Sequence, residues 1–219
     1  MISESLTYVS NCWKVDSLGN LEDIARQIQN CTKCDLSKTR TNVVPGSGSS
    51  DAEIVFIGEG PGFYEDKEGS PFVGRAGKIL DSLLKLIDLS REKVFITNMV
   101  KCRPPKNRDP LPIEIQTCKI FLDRQLEVVE PKILVTLGRH SFLKFFPGEL
   151  LSKSRGQPRK LEGFTIFPVY HPAAALHNPR LRPIIESDFR KLPELLHTEL
   201  TESKNERADD SCQLNFFEN

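Results

Sequence analysis

Three polar side chains stand where apolar runs of the sequence end, and each is of a type that can do chemistry. Glu59 follows EIVFIG, Asn98 lies in ITNMVKC, and His171 follows FTIFPVY. A carboxylate can stabilise a cationic centre or activate water, an amide can donate and accept hydrogen bonds at once, and a histidine can stabilise negative charge on a leaving oxygen. A structural role is the more common explanation for Asn98 or His171 taken singly.

A glycine-rich loop follows the first apolar run. Residues 58–77 read GEGPGFYEDKEGSPFVGRAG, with three glycines in the first five positions. Glycine permits positive φ angles and close approach of the backbone, so amide groups in this loop can face a ligand, and Phe72 could stack on a flat ring. A tight strand-to-helix turn would account for the glycines alone, but their combination with Pro71, Phe72 and Gly74 favours a binding loop.

Four cysteines have a spacing that suggests a metal centre. Cys31 and Cys34 form a C-x-x-C pair, and Cys102 and Cys118 come much later. A zinc ribbon needs two close pairs, whereas one close pair with two separated thiolates can bind a [4Fe-4S] cluster. From the spacing alone, a cluster is favoured over a zinc site and over unrelated buried cysteines, and all three explanations stay open.

The elements that must position these residues follow an alternating pattern. Four short runs rich in apolar, β-branched and aromatic residues are predicted as buried strands, at 53–59, 94–100, 132–138 and 164–170. Helical patterns are found at 76–87, 112–130 and 139–146, and another follows the last run. The alternation predicts a three-layer α/β/α fold with a central, mostly parallel four-stranded sheet, and it places ligands beyond the carboxyl ends of the strands.

The length of 219 residues fits one sizeable domain with short extensions. We expect residues 1–30 to be an N-terminal extension that is partly helical, because LEDIARQI at 21–28 is amphipathic. Residues 31–200 form the predicted domain. The polar composition of residues 201–219 predicts a flexible tail.

Composition and charge restrict the function only weakly. The formal net charge is zero, but residues 31–200 carry an excess of five basic groups, which is compatible with phosphate contact and weak evidence on its own. No apolar run approaches the roughly 18 residues that span a membrane, and the N-terminal segment lacks the basic and apolar regions of a secretion signal. We therefore expect a cytoplasmic protein without membrane contact, and a monomer.

Six separate motifs together resemble one known family. The motifs are Cys31-x-x-Cys34, GEGPG at 58–62, GSPFVG at 69–74, TNMVKCRPP at 97–105, LGRH at 137–140 and HPAAAL at 171–176. Their order and spacing are similar to those of the family 4 uracil-DNA glycosylases, the iron-sulfur, thermophile-type branch of the uracil-DNA glycosylase superfamily. The resemblance extends from about Cys31 to about Leu200 and covers the whole predicted domain.

The resemblance implies a DNA repair enzyme that hydrolyses the N-glycosidic bond of deoxyuridine in DNA. Such an enzyme releases uracil and leaves an abasic site without a lyase step, and it flips the nucleotide out of the helix into a pocket. There, Phe72 stacks on uracil, Gly60 contributes a backbone contact, and Asn98 hydrogen-bonds the pyrimidine edge and rejects cytosine. Glu65, at an acidic position of the same loop, is expected to crowd the C5 side of the base and to exclude thymine.

The resemblance also implies the catalytic roles and the cofactor. His171 faces uracil O2 and stabilises the departing anion. Glu59 lies near the sugar, where its carboxylate stabilises the oxocarbenium-like centre and orients or activates the attacking water. The implied ligands of a structural [4Fe-4S] cluster, which performs no chemistry, are Cys31, Cys34, Cys102 and Cys118.

Contacts with DNA are expected outside the pocket. Leu176, in the segment after His171, is the candidate wedge that fills the gap left by the flipped base. Arg155, Lys101 and Arg103 are candidate phosphate contacts, although a solvated charge explains each of them equally well. Single-stranded and double-stranded DNA both stay open as substrates.

The last residues suggest a second partner. The sequence QLNFFEN at 213–219 resembles the pentapeptide by which bacterial repair and replication proteins bind the sliding clamp. Packing of the tail onto the domain is the alternative. The residues that match the pentapeptide are Gln213, Leu214, Asn215, Phe216 and Phe217.

Two other functions stay open. A non-catalytic iron-sulfur module that binds DNA would not need Glu59, Asn98 and His171 together, so their joint presence disfavours it. A relative with altered chemistry could act on another deaminated base, such as hypoxanthine, or trap the abasic sugar covalently. The trapping relatives carry a basic insertion with an extra histidine, which is absent around LLSKSRGQP at 150–158, and so hydrolytic release is favoured.

Overall fold

A computed structural model describes residues 19–161 and 163–201, and its centre is a β-sheet. The strands, in chain order, are β1 (Ser47–Gly48), β2 (Ile54–Gly58), β3 (Phe95–Asn98), β4 (Ile133–Leu137), β5 (Arg159–Leu161) and β6 (Phe164–Val169). They form one six-stranded sheet in the order β1-β3-β2-β4-β6-β5.

The four central strands are parallel to one another, and the two edge strands pair antiparallel to their neighbours. The predicted three-layer α/β/α fold with a mostly parallel sheet is confirmed, but the sheet has six strands rather than four. The edge strands were missed because two or three residues are too few to display an apolar period. Their residues are also only partly buried, whereas every residue of β2, β3 and β4 is buried.

Helices cover both faces of the sheet. None of those within residues 19–161 and 163–201 combines the length and apolar character that a membrane span requires. In chain order they are α1 (Leu21–Gln29), α2 (Phe63–Glu68), α3 (Arg75–Leu86), α4 (Pro112–Val129), α5 (Arg139–Phe145), α6 (Leu151–Ser154), α7 (Ala174–His177), α8 (Arg182–Phe189) and α9 (192–201).

The alternation of side chains along β2 builds two apolar layers. Phe56 packs on one face, in a cluster that includes residues of α3 and α8, and its ring stacks on Phe189 with centroids 5.7 Å apart. Val55 and Ile57 pack on the other face, in a cluster that includes residues of α4 and α5. Burying one such side chain contributes about 1.5–3 kcal/mol relative to leaving it exposed, so both faces anchor the sheet.

Helix α1 packs against α4 beside the cysteines. Its start is fixed by a capping box, in which the side chain of Asn20 accepts from the amide of Asp23 and the Asp23 carboxylate accepts from the amide of Asn20. Ile24 and Ile28 are buried in a cluster with Phe121 and the cysteine side chains. The helix predicted at 21–28 is therefore joined to the main domain.

Candidate active site

The carboxyl ends of the central strands meet at one edge of the sheet, where a cavity of about 510 Å³ opens. Glu59 follows β2, Asn98 is the last residue of β3, and His171 lies just beyond β6. Parallel α/β sheets bind ligands at this edge. The cavity is lined by the residues that the sequence assigned to substrate binding and catalysis: Glu59, Gly60, Glu65, Phe72, Asn98 and His171.

Asn98 and Phe72 converge because Gly58 has no side chain. A Cβ atom there would overlap Asn98 Oδ1 and would lie 2.8 Å from Phe72 Cζ. Asn98 is only 2 % exposed, so its amide is held in place. Phe72 has a φ angle of 54°, a left-handed conformation that is costly for a residue with a side chain. Arg91 holds this conformation by donating to the carbonyls of Pro71 and Phe72.

His171 is fixed in one tautomer by its own turn. The amide of Ala173 donates to Nδ1 of His171 over 3.1 Å, so the proton of the neutral ring must be on Nε2. Burial lowers the pKa of His171 to about 4, and the charge of Glu65 opposes this only in part. The ring stacks on Phe72 with centroids 5.5 Å apart. At neutral pH, His171 is therefore an uncharged ring with Nε2–H as its donor.

Glu59 lies in a network of charged groups. His140 Nε2 is 3.7 Å from Glu59 Oε2 and 3.0 Å from Asp109 Oδ2, and Arg139 is 3.5 Å from Asp109. Burial raises the pKa of Glu59, His140 opposes that shift, Asp109 adds to it, and Arg139 opposes it. The ligand atoms of Glu59, Asp109 and His140 lie within 4.8 Å of one another, as a cation site would require, but ion pairing already accounts for their proximity.

Glu65 has a structural task that the sequence did not indicate. Its Oε1 accepts from the amides of Val73 and Gly74, at 3.0 and 2.9 Å. The carboxylate thus holds the segment that carries Phe72 to the start of α3. Glu65 also lines the cavity, and its role in excluding thymine stays a prediction.

The side chain of Lys101 is buried and not available for a phosphate contact. Its side chain is 1 % exposed, and Nζ donates to Thr97 Oγ1, the Asn98 carbonyl and Gln125 Oε1 at 2.6–2.7 Å. Burial lowers the pKa of Lys101 to about 7. The expected phosphate contact is wrong for Lys101, because the amine instead ties the end of β3 to α4.

Arg155 and Leu176 differ in how far they are available to DNA. Arg155 donates through Nη1 to both carboxylate oxygens of Asp188, at 2.6 and 2.7 Å, and stacks over Tyr170. Its charge is thus already paired with a carboxylate that is 1 % exposed. Leu176 is 40 % exposed, in the segment whose Ala173 lines the cavity. Both DNA contacts stay predictions.

The four predicted cluster ligands surround one small buried cavity. Cys102 Sγ accepts from Arg40 Nη1 at 3.1 Å, and Cys118 Sγ accepts from the amide of Lys101 at 3.4 Å. Burial raises the pKa of Cys102 and raises that of Cys118 to about 11. As free thiols, Cys102 and Cys118 would stay protonated at neutral pH, whereas a bound metal centre would deprotonate them.

Two residues beside Glu59 were not assigned a role from the sequence. His140 follows β4 within the LGRH motif, and Asp109 lies in the loop before α4. An extension of the strand-end argument that selected Glu59 would also have selected His140, since it comes three residues after the end of the buried strand β4. Asp109 carries no such signal, because only the folded loop brings it to His140. The predicted clamp-binding residues at 213–217 lie outside the described residues.

Comparison with known proteins gives a match to one family model and to several relatives. Residues 45–194 match the model of the uracil DNA glycosylase superfamily. The chain is 52% identical to the type-4 uracil-DNA glycosylase of Sulfurisphaera tokodaii, over 83% of this chain and 87% of the relative. It is 52% identical to that of Saccharolobus solfataricus, over 82% and 88%, and 49% identical to that of Archaeoglobus fulgidus, over 80% and 93%.

Proposed function

Because the chain belongs to the uracil-DNA glycosylase superfamily and, within it, to the type-4 enzymes, we propose that it hydrolyses the N-glycosidic bond of deoxyuridine in DNA. The products are free uracil and an abasic site, which initiates base-excision repair. One observation carries the proposal: Glu59, Asn98 and His171, from three separate strand ends, line the same cavity. A carboxylate, an amide and an imidazole suit the sugar cation, the pyrimidine edge and the leaving anion.

The substrate nucleotide enters the cavity by leaving the base stack. Unstacking costs about a few kcal/mol, which contacts in the pocket and to phosphates offset. Phe72 supplies the stacking surface for the flipped uracil. Asn98 pairs with the N3 and O4 edge of uracil, and cytosine is rejected because it exchanges a donor and an acceptor there. The burial of Asn98 against Gly58 supports a fixed amide orientation.

His171 acts on the leaving group. When the bond between C1′ and N1 breaks, its electron pair leaves with uracil and negative charge develops on O2. The Nε2–H of His171 donates to that oxygen, with the tautomer held by the amide of Ala173. Since the ring is neutral, its contribution is a hydrogen bond rather than a transferred proton, and such a donor supplies roughly 3 kcal/mol of transition-state stabilisation.

Glu59 acts on the sugar and on water. Its carboxylate stabilises the oxocarbenium-like C1′ centre while uracil departs. The oxygen of a water molecule then forms the new bond to C1′, and the proton released by that water passes to Glu59. His140, 3.7 Å away, supports the ionised form that both roles need.

Glu65 excludes thymine by occupying the C5 side of the base. Glu65→Ala would remove the carboxylate and also the acceptor for two loop amides, so Glu65→Gln, which keeps an oxygen acceptor, is the necessary control. Release of thymine by the alanine variant alone would support the role. Unchanged discrimination between thymine and uracil in both variants would remove it.

We propose that Cys31, Cys34, Cys102 and Cys118 hold a structural [4Fe-4S] cluster. A tetrahedral zinc ion with bonds of about 2.3 Å would bring all its sulfur ligands within about 4 Å of one another. The four cysteines line one cavity, and their spacing along the chain, one close pair with two separated thiolates, suits the corners of a cube better. The cluster would cross-link the segment before β1 to the end of β3 and to α4, and it supplies no step of the reaction.

The experiment that tests the function is strand cleavage of a labelled oligonucleotide with one uracil, after alkali treatment. His171→Ala is compared with wild type and with His197→Ala, a change at an exposed histidine of α9. We expect a product from uracil only, formed roughly 100-fold more slowly by His171→Ala and at the wild-type rate by His197→Ala. Cleavage at hypoxanthine would favour the glycosylase for another deaminated base. No product from brown, cluster-loaded protein would favour the non-catalytic DNA-binding module.

The remaining proposals concern partners. We propose that the enzyme works in the cytoplasm as a monomer, that Leu176 fills the gap left by the flipped base, and that the tail binds the sliding clamp. Deleting residues 212–219 should abolish clamp binding and leave uracil release unchanged. Unchanged affinity for the clamp after this deletion would contradict the proposal that the tail binds it.

A further inference from the structure

Two neighbouring aromatic side chains at the start of α2 are open to solvent. Phe63 and Tyr64 are each 54 % exposed. Their rings make an edge-to-face pair, with centroids 5.4 Å apart and planes at 83°. Aromatic side chains favour burial strongly, and so an exposed adjacent pair suggests a surface that is covered by a ligand.

This pair lies at the rim of the active-site cavity. Helix α2 follows directly after Pro61 and Gly62, which line the cavity. The guanidinium of Arg103 lies 5.1 Å over the Phe63 ring, and its Nε donates to Asn107 Oδ1 at 2.7 Å. Asn107 in turn lines the cavity. The aromatic surface is therefore continuous with the opening through which a nucleotide would enter.

The charges around the pair fit a nucleic acid strand. Arg103 adds positive charge beside Phe63. The two acidic residues in the first turn of α2 are engaged inward: Glu65 binds the amides of Val73 and Gly74, and Asp66 is 4 % exposed and accepts from the amide of Thr41 at 2.8 Å. Flat rings beside a cation match the combination with which proteins hold unpaired bases.

We propose that Phe63 and Tyr64 form a stacking platform for an unpaired base adjacent to the flipped uridine, in the strand that carries the uracil. Tyr64 supplies the ring face on which the base stacks, and Phe63, which lies at 83° to Tyr64 and carries the Arg103 guanidinium over its own ring, supports Tyr64 edge to face. The platform rests on the proposed function and adds a second base-binding subsite to it. Stacking on a ring requires a base that has left its own stack, so the platform favours single-stranded DNA. It carries little preference for which base is bound, because every base has a flat face.

Binding to a single-stranded oligonucleotide tests the platform. The oligonucleotide carries 2′-fluoro-deoxyuridine, which resists cleavage because fluorine destabilises the oxocarbenium-like centre, and Kd is measured by fluorescence anisotropy. We expect Tyr64→Ala to raise Kd about tenfold, as the loss of one base–aromatic stack predicts, and Phe63→Ala to raise Kd less, because its ring supports Tyr64 and does not stack on the base. Tyr64→Phe keeps the ring and should stay within about twofold of wild type, as should Leu150→Ala, a change at another exposed apolar residue.

Removing the stacked base from the DNA identifies the contact. An abasic spacer replaces the nucleotide on the 5′ or the 3′ side of the uridine analogue. At one of these two positions, the spacer should raise the Kd of wild type about tenfold. The same spacer should not raise the Kd of Tyr64→Ala any further, because the stacking contact is already absent in that variant. Additive losses on both sides, or alanine variants that bind as wild type does, would overturn the platform.

The outcome is separable from that of the proposed function. The same sequence with ordinary deoxyuridine is assayed for uracil release by wild type. Release of uracil together with additive losses would reject the platform alone, whereas absence of release would reject the function on which it rests.

Discussion

Single residues in this site owe their chemistry to their neighbours. His171 is a donor at Nε2 because a backbone amide occupies Nδ1 and because burial keeps the ring neutral. Glu59 is drawn toward its protonated form by burial and by Asp109, and toward its ionised form by His140 and Arg139. The protonation states that the proposed reaction needs are therefore set by contacts that can be changed one at a time.

Replacing the leaving-group donor should affect the chemical step more than binding. We expect His171→Ala to lower kcat roughly 100-fold, because a hydrogen bond that strengthens as charge develops supplies about 3 kcal/mol. KM should change much less. Single-turnover release of uracil measures the step directly. A variant whose defect lay in KM, with kcat retained, would contradict a role on the leaving oxygen.

The acid limb of the pH profile should report Glu59. In the proposed reaction the carboxylate acts in its ionised form, so activity should fall as the pH drops through the pKa of Glu59. Because burial raises that pKa, the acid limb should lie at a higher pH than the pKa of an ordinary glutamate. His171 adds no limb near pH 6.5, because its pKa is about 4. His140→Gln removes a group that favours the ionised form, and the limb of kcat/KM should move to higher pH.

Two controls accompany this profile. Glu59→Gln should give a low activity with no acid limb. His177→Ala changes another histidine that lines the cavity but has no ion pair with Glu59 among the described residues, and it should leave the limb in place. An acid limb that stays at the same pH in His140→Gln would show that this ring does not influence Glu59.

At the scale of elements, buried charges hold the site's loops and helices together. Lys101 joins the end of β3 to α4, and Arg155 joins the chain after α6 to Asp188 of α8. Neither contact is visible in the sequence, where both residues look like surface charges in polar segments. From the sequence, a basic residue near a strand end is equally compatible with exposure to solvent and with a phosphate contact. Its burial against a distant element becomes evident only in the folded structure.

Loss of the Arg155 side chain should destabilise the fold. The Asp188 carboxylate is 1 % exposed and, among the described residues, would keep only Lys191, 3.8 Å away, so we expect Arg155→Ala to lower the free energy of unfolding by roughly 2 kcal/mol. Urea denaturation measures this, with exposed Arg190→Ala as the matched control. The salt dependence of DNA binding should not change. A slope reduced by about one would instead support the phosphate contact.

The central elements could be predicted because their residues are uniformly apolar. The runs at 53–59 and 132–138 contain strands that are buried on both faces. Strands of this kind are apolar throughout, so they can be recognised from the sequence alone. Helix α2 could not be predicted in the same way. Its six residues, FYEDKE, begin within a glycine-rich loop and place two rings in solvent, so neither period nor composition indicates a helix.

At the scale of the whole molecule, distant parts of the chain meet at two centres. The cavity unites residues 59, 98 and 171 because β2, β3 and β6 end at one edge of the sheet. The cysteines unite the segment after α1 with the end of β3 and with α4. The sequence predicted both groupings through strand ends and motif spacing. It could not predict that Lys101 contacts both, through Asn98 and through Cys118.

Loss of one cysteine should affect stability before chemistry. We expect Cys118→Ala to lose the brown colour and bound iron of the proposed cluster. Its Tm should fall by about 10 °C. The cross-link would stabilise the fold by several kcal/mol, and each kcal/mol lost lowers Tm by roughly 2–4 °C in a chain of this size. Cys212→Ala, outside the four ligands, is the control. Absorbance, iron analysis and thermal melts provide the measurements. A colourless wild-type protein that contains zinc would contradict the cluster.

The position of β6 late in the chain has a consequence for synthesis. A growing chain leaves the ribosome from its N-terminus, so all four cysteines, the last of them at position 118, emerge before His171. The ligands of the proposed cluster can thus be collected while the sheet still lacks β6, which pairs with β4. The group proposed to act on the departing base joins the site last. A chain interrupted before β6 would hold all four proposed cluster ligands yet lack His171, and so it would be unable to carry out the proposed excision.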